Sequence, residues 1–154
     1  MKTMHFSQKA LSLVVFLMLV VSSAAQAKRV VERPYFFASN NNKLEIERVT
    51  LGKKATVLDV KIYQAGGKVS IDSHAVLAAN GATYAYLGSP QLPKGVFVKV
   101  PECGYVSATL RFKPMPETTT EFDFREVSDN SGWNIYGCLL YTSETADDLT
   151  RVDL

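Results

Sequence analysis

Cys103 is the first residue whose chemistry would suit an active site. It lies in the segment Pro101-Glu102-Cys103-Gly104, which is typical of a turn before a strand. A thiol nucleophile needs a neighbouring base and an electropositive setting. The only histidine after His5 is His74, nothing in the sequence places it beside Cys103, and there is no Cys-x-x-Cys pair. The sequence therefore favours a structural or incidental cysteine over a reactive one.

Asp72-Ser73-His74 contains the three residue types of a hydrolase triad. Neighbouring residues of an extended chain point to opposite faces, so three consecutive residues do not readily converge on one substrate. Two cysteines and one histidine at wide spacing match no zinc pattern either. We predict neither a Ser-His-Asp triad nor a metal site.

Carboxylates and aromatic rings are the remaining candidates. The carboxylates lie on the polar faces of predicted strands, where a solvated sheet surface explains them better than acid–base catalysis does; they are Glu45, Glu47, Asp59, Asp123 and Glu126. The rings would form either a platform for a ligand or glycan, or packing across strands and in the core; they are Tyr35, Tyr63, Tyr84, Tyr86, Tyr105, Tyr136 and Trp133. The sequence thus predicts no catalytic, cofactor-binding or metal-ligating residue, no cofactor and no enzyme activity.

Alternating apolar and polar residues predict the strands that carry these side chains. The clearest alternation covers residues 105–113, which Pro114-Met115-Pro116 ends because proline cannot donate to a ladder. Residues 56–63 are predicted to form a central strand. Between Leu44 and Leu51 the apolar phase slips by one residue, which predicts a bulge near Glu47-Arg48. Asn80-Gly81 between residues 76–79 and 82–87 predicts a hairpin with a type I′ turn.

Weaker patterns complete the predicted fold. Residues 30–37 are extended, with Pro34 suggesting an edge strand; further short strands are predicted around Val69 and Ile71, Val96, Val98 and Val100, Phe122 and Phe124, and Trp133 and Ile135. About nine or ten strands at this spacing predict an all-β, immunoglobulin-like antiparallel β-sandwich. A small closed barrel with similar patterning is the alternative.

The N-terminus resembles an export signal. Lys2 and Lys9 precede an apolar stretch at residues 10–21, and Ala25-Gln26-Ala27 fits a cleavage site. We predict a signal peptide at residues 1–27, a β-sandwich domain at residues 28–137, and a periplasmic or secreted protein with no membrane span after cleavage; an uncleaved anchor is the alternative. The chain has 154 residues and a net charge of +2. It has no basic stripe, so nucleic-acid binding has little support.

The composition changes at Gly137-Cys138-Leu139-Leu140-Tyr141-Thr142-Ser143. The codons TGT CTC TTA TAC ACA TCT encode residues 138–143 in order, and that DNA resembles the transposase mosaic end used in sequencing libraries. We therefore predict that residues 138–154 are a non-native tail produced by adaptor read-through on a truncated gene. The alternative is a genuine strand followed by an acidic tail.

Several stretches together resemble the N-terminal β-sandwich domain of exported bacterial proteins that carry a TlpA/ResA-type thioredoxin-like domain. The stretches are Arg33-Pro34-Tyr35-Phe36, Leu44-Glu45-Ile46-Glu47-Arg48-Val49, Ala55-Thr56-Val57-Leu58, Ile71-Asp72-Ser73, Leu77-Ala78-Ala79-Asn80-Gly81, Pro101-Glu102, Phe112-Lys113-Pro114-Met115-Pro116, Phe122-Asp123-Phe124-Arg125-Glu126 and Trp133-Asn134-Ile135-Tyr136-Gly137.

In such proteins the redox chemistry belongs to the later thioredoxin-like domain, whose Cys-x-x-Cys this chain lacks. The resemblance therefore implies a non-catalytic accessory module of an exported thiol–disulfide oxidoreductase, truncated before its redox domain, with a thioredoxin-like domain as its partner. A standalone secreted module that binds a peptide or glycan is the alternative.

Overall fold

Eleven β-strands make up the protein over the residues that the computed structural model describes, 28–126 and 132–141. No helix occurs in those residues. The predicted signal peptide and residues 142–154 lie outside the described residues. The strands are β1 (Arg29–Glu32), β2 (Ala38–Ser39), β3 (Leu44–Leu51), β4 (Thr56–Tyr63), β5 (Lys68–Val69), β6 (Val76–Ala79), β7 (Ala82–Gly88), β8 (Val98–Lys99), β9 (Tyr105–Phe112), β10 (Glu121–Arg125) and β11 (Asn134–Leu139).

Nine of the strands form one antiparallel sheet that curls into two layers. The strand order is β1-β3-β4-β9-β7-β6-β10-β11-β2. The bend lies in β7, whose first residues pair with β6 and whose last residues, Tyr86 and Gly88, pair with β9. We call β1, β3, β4 and β9 the first layer, and β6, β10, β11 and β2 the second layer. The predicted all-β, sandwich-like fold is confirmed.

The first layer is built from the alternation seen in the sequence. β4 pairs along its whole length with β3 on one side and β9 on the other, so its predicted central position is confirmed. Thr56, Leu58, Val60 and Ile62 of β4 are buried, and the residues between them face outward. The register of β3 against β4 shifts between Ile46 and Arg48, which confirms the predicted bulge.

Aromatic side chains join the two layers. Phe112 of β9 lies edge-on to Phe124 of β10 with ring centroids 6.1 Å apart, and Tyr86 of β7 lies 5.3 Å from Phe112. Phe112 and Phe124 are fully buried, and Tyr86 nearly so. Such tilted and edge-on contacts add to the burial of apolar area, so this cluster anchors one layer on the other.

The hairpin at Asn80-Gly81 is confirmed. β6 pairs with β7 from Val76↔Ala85 to Ala79↔Ala82. Asn80 and Gly81 have φ angles of 51° and 75°, the positive values that a type I′ turn requires at both central residues.

β5 and β8 form a separate two-stranded ribbon, which we call the β5–β8 ribbon. Lys68 lies opposite Lys99, and Val69 lies opposite Val98. The predicted strand through Val96, Val98 and Val100 is too long: β8 has only two residues, and Val96 is half exposed. The reason is a turn in which the Val96 N–H donates to the Pro93 carbonyl oxygen, with Gly95 at a φ of 64°.

β11 continues past the predicted end of the domain at Gly137. Cys138 pairs with Phe122, and Cys138 and Leu140 are fully buried. Phe124 lies opposite Ile135 and Phe122 opposite Cys138, so Tyr136 and Gly137 together face Asp123 alone. This is a β-bulge with a glycine at a positive φ of 64°. The bulge shifts the apolar phase by one residue, so the break at Gly137 does not interrupt the strand.

β1 and β2 are the two ends of the curled sheet, each paired on one side only among the described residues. Pro34 follows β1, as the predicted edge position suggested, but the strand ends at Glu32 because Arg33 adopts a positive φ of 46°. The Arg29 guanidinium donates to the carbonyl oxygens of Glu117 and Thr119, each at 2.8 Å, and to that of Leu140. Arg29 thus ties the first strand to the end of β11.

Candidate functional site

The outer face of the first layer carries a network of opposite charges. The Lys61 ammonium lies 2.5 Å from the Glu47 carboxylate, and Arg48 lies 2.6 Å from Glu32 and 3.6 Å from Asp59. Their acidic partners raise the pKa values of Lys61 and Arg48. Arg48 and Glu32 are exposed, and Glu47, Asp59 and Lys61 are half-buried. Opposite charges that pair in this way at the surface are typical of a solvated sheet face.

A cleft of about 400 Å³ lies within this network. Its walls include Glu32, Arg48 and Asp59 on one side and Gln91 and Thr109 on the other. The Thr109 hydroxyl donates to Asp59 at 2.8 Å, and the Thr109 N–H donates to the Gln91 side-chain oxygen at 3.2 Å. Asp59, Thr109 and Gln91 are thus already engaged with one another, and no histidine lines the cleft.

Tyr63 and Tyr105 lie side by side at one end of the same face. Their ring centroids are 5.6 Å apart, and the Lys61 ammonium lies 5.5 Å from the centre of the Tyr105 ring. The Tyr63 hydroxyl donates to Glu45 at 3.0 Å, and this bond raises the pKa of Tyr63. Two of the predicted aromatic candidates therefore pack across strands.

His74 does contact Asp72 and Ser73, although neighbours in an extended strand would not meet. The segment is a turn, in which the His74 N–H donates to the Asp72 carboxylate at 2.7 Å. The His74 Nδ1 atom lies 3.1 Å from Asp72 Oδ1 and 3.2 Å from Ser73 Oγ. A triad needs the serine on one ring nitrogen and the acid on the other. Here both contact the same nitrogen, so the trio cannot relay a proton from Ser73 to Asp72.

The prediction that Glu126 lies on a solvated sheet face is wrong, because its side chain is buried. Its two carboxylate oxygens accept hydrogen bonds from the N–H groups of Asp72 and Trp133, each at 2.8 Å. Burial raises the pKa of Glu126, while these two hydrogen bonds pull the pKa down. The carboxylate therefore fastens the turn at Asp72 to the start of β11, and the position needs an acceptor with two oxygens.

The two cysteines are both free thiols. Cys103 is exposed, and its sulfur lies 3.5 Å from the carbonyl oxygen of Tyr105. Burial raises the pKa of Cys138 to about 12, so its thiol stays protonated at neutral pH and is a poor nucleophile. Neither cysteine has a histidine within hydrogen-bonding distance among the described residues.

The two most exposed aromatic side chains among the described residues lie just before β2. Tyr35 and Phe37 are 70% and 85% exposed, and Tyr136 on the neighbouring β11 is 38% exposed. The Phe37 N–H donates to the Tyr136 carbonyl oxygen at 3.0 Å, and the Leu139 N–H donates to the Tyr35 carbonyl oxygen at 2.8 Å. We call Tyr35, Phe37 and Tyr136 the aromatic edge.

The predicted aromatic candidates therefore occupy different places. Tyr86 is buried, with its hydroxyl donating to the Leu92 carbonyl oxygen at 3.0 Å, and Tyr84 and Trp133 pack against the core. Only Tyr35 and Tyr136 belong to the aromatic edge. Phe37 is not among the predicted candidates, because a phenylalanine in an apolar run is typical of a core. Pro34, three residues earlier in the chain, is the signal of an edge position that could have indicated Phe37.

Residues 28–126 and 132–141 contain neither a cluster of metal-ligating side chains nor a membrane-spanning helix. No group of three or more histidine, cysteine, aspartate or glutamate side chains lies close enough to hold a metal ion. No helix in that part of the chain has the length and apolar character to cross a membrane. No family model, curated protein or solved structure matches this chain.

Proposed function

We propose that this protein is a non-catalytic β-sandwich module that binds a protein partner, and that it serves as the accessory module of an exported thiol–disulfide oxidoreductase. The observation that carries this proposal is the aromatic edge. Aromatic side chains are enriched at protein interfaces because each buries a large area with few rotatable bonds. Tyr35 and Phe37 are mostly exposed on a strand edge, where such area would otherwise be left in water.

The position of the aromatic edge suggests how the partner binds. β2 ends the nine-stranded sheet, so its outer side offers backbone N–H and C=O groups to an added strand. An extended segment of a partner would pair with this edge through its main chain, while its side chains pack against Tyr35 and Phe37. The Arg125 guanidinium, 5.8 Å from the centre of the Tyr136 ring, adds a cation beside the aromatic surface.

The sequence of the intact gene is the first test of the accessory role. We expect the reading frame to continue past the codon for Gly137 into a thioredoxin-like domain with a Cys-x-x-Cys pair. A native stop codon shortly after that position would contradict the accessory role.

The binding surface is tested by substitution. We expect Phe37→Ala to weaken the affinity for the thioredoxin-like domain of the intact gene about tenfold or more, as truncation of an aromatic interface anchor does. Leu87→Ala removes an apolar side chain of β7 that is 46% exposed and is the matched control. Equal affinities of the Phe37→Ala and wild-type chains would rule out the aromatic edge as the interface.

A standalone secreted module that binds a peptide or glycan is the second candidate, and the same exposed rings favour it. Aromatic faces stack on sugars and pack against peptides. If the native gene ends near Gly137, we expect the chain to retain a peptide or glycan from arrayed libraries and to lose it in the Tyr35→Ala and Phe37→Ala variants. No retained ligand, or retention unaffected by both substitutions, would count against this candidate.

A further inference from the structure

The β5–β8 ribbon combines positive charge with exposed apolar side chains. Lys68 and Lys99 lie directly opposite each other in the ribbon, and Lys94 lies in the turn before β8. Phe97 and Val96, which lie between Lys94 and Lys99 in the chain, are 68% and 50% exposed. The ribbon and its turn therefore present both features on one surface.

The two faces of the ribbon are chemically distinct. Val69 and Val100 are almost fully buried and attach the ribbon to the core. Lys68 and Lys99 lie directly opposite each other, so their side chains share one face of the ribbon. Val96 and Phe97 precede β8 and are both exposed. The outward surface thus consists of Lys68 and Lys99, with Val96 and Phe97 exposed in the segment that leads into β8.

The charges of this surface are not balanced within the protein. Like charges directly opposite each other destabilise an antiparallel pair, yet Lys68 and Lys99 occupy such a position. Among the described residues, none of these lysines forms an ion pair; Lys94 lies 5.8 Å from the centre of the Tyr86 ring. Residues 64–71 and 89–100 contain three lysines and no aspartate or glutamate. A negatively charged partner would relieve the repulsion.

We propose that the β5–β8 ribbon docks the protein on an anionic lipid surface. Phe97 and Val96 would enter the boundary between headgroups and acyl chains, while Lys68, Lys94 and Lys99 would lie over the headgroup phosphates. An acidic protein or a nucleic acid would pair with the lysines but would leave the exposed side chains of Phe97 and Val96 without a function. The lipid surface is favoured for this reason. The inference is independent of the aromatic edge, which lies on β2 and β11 in the nine-stranded sheet and not in the ribbon.

Vesicle binding tests the proposal. The full chain is compared on phosphatidylcholine vesicles and on vesicles containing phosphatidylglycerol; the N-terminal region is the same in every variant, so differences among variants report on the ribbon. Each lysine near an anionic surface is worth a factor of about five in partitioning. We therefore expect a Lys68→Gln/Lys99→Gln variant to bind the anionic vesicles about 25-fold more weakly, and 1 M salt to weaken the wild type similarly by screening.

The matched charge control is Lys53→Gln/Lys54→Gln, which removes the same charge from the turn between β3 and β4. We expect it to bind as the wild type does, within about twofold in 0.15 M salt, because neither lysine belongs to the ribbon and, at a Debye length of about 8 Å, a charge acts mainly on its close surroundings. Equal losses in the two double variants would show a net-charge effect and overturn the proposal. The proposal would also be overturned if the chain bound both vesicle types equally well and also bound single-stranded DNA or an acidic peptide.

A fluorescent residue tests whether the segment around Phe97 enters the bilayer. We expect the emission of a Phe97→Trp variant to shift to shorter wavelength with anionic vesicles, because its indole leaves water. A Phe37→Trp variant, whose site on the aromatic edge is 85% exposed against 68% at Phe97, should show no shift. An unshifted Phe97→Trp spectrum at saturating vesicle concentration would overturn the proposal. The result does not depend on whether the aromatic edge binds a protein.

Discussion

Thr56 and Thr119 are both fully buried but differ in hydrogen bonding. The Thr56 hydroxyl accepts a hydrogen bond from the Met115 N–H at 2.8 Å. The Thr119 hydroxyl has no hydrogen-bond partner among the described residues. Burying the unpaired Thr119 hydroxyl costs free energy. The Thr56 hydroxyl instead accepts a hydrogen bond from the Met115 N–H, which would otherwise be buried without a partner. The same substitution should therefore have opposite effects at the two positions.

We expect Thr119→Val to raise the free energy of unfolding by about 1 kcal/mol, since valine fills the same space without an unpaired hydroxyl. Thr56→Val should lower the free energy of unfolding by about 1–3 kcal/mol, because it leaves the buried Met115 N–H without an acceptor. Urea unfolding of the two variants measures both effects. Changes of the same sign would show that β propensity, and not hydrogen bonding, dominates at these positions.

Glu126 should make stability depend on pH. Burial raises its pKa in the folded chain, so between the ordinary carboxyl pKa and this higher value the folded chain binds more protons than the unfolded chain. Stability then falls as the pH rises through that window. We expect the wild type to gain stability relative to Glu126→Gln as the pH is lowered from about 7 towards about 4. Urea midpoints of both proteins across this range measure the difference, and a difference independent of pH would contradict the assignment.

At the scale of the strand, the sequence predicts the bulge in β3 but not the bulge in β11. The slip of the apolar phase at Glu47-Arg48 predicts a bulge, and the register of β3 confirms it. The change of composition and the adaptor-like codons predict a foreign tail from Cys138, yet β11 continues past Gly137 through a bulge in which the Gly137 N–H donates to the Asp123 carboxylate at 2.9 Å. The origin of the codons from Cys138 onward stays a prediction.

The β6–β7 hairpin offers a test of turn chemistry. A Cβ on Gly81 would meet nothing within 4 Å, so only the backbone conformation opposes a side chain there. We expect Gly81→Ala to lower the free energy of unfolding by about 1 kcal/mol. Gly81→Asn should cost less, because asparagine tolerates positive φ. Equal costs, measured by urea unfolding, would mean that the positive φ is not what the position requires.

For the whole molecule, the end of β11 should be essential to stability. A chain that ends at Gly137 loses the buried side chains of Cys138 and Leu140 and the backbone hydrogen bond from Leu140 to Thr120, 2.8 Å in length. We expect it to be less stable by about 3 kcal/mol or more, given what burial of a leucine alone contributes.

A chain that ends at Tyr141 is the control, because it keeps all of these contacts and should match the full chain within about 0.5 kcal/mol. Equal stability of the two shortened chains would show that residues 138–140 are dispensable. If the intact gene encodes other residues at positions 138 and 140, we expect them to be apolar, because both positions face the core.

Side-chain period, turn residues and prolines were sufficient to predict the all-β class, the central strand, the first bulge and the hairpin, because each depends on residues close together in the chain. The surfaces proposed to bind could not be predicted in the same way. Lys68 meets Lys99 only through the pairing of β5 with β8, and Phe37 joins Tyr136 only because β2 pairs with β11. Likewise, Glu126 was placed on a polar face by its position in the strand, but the turn at Asp72 covers it. Which distant segments lie side by side depends on packing of the whole chain, and that packing decides which polar groups are buried and which apolar groups stay in water.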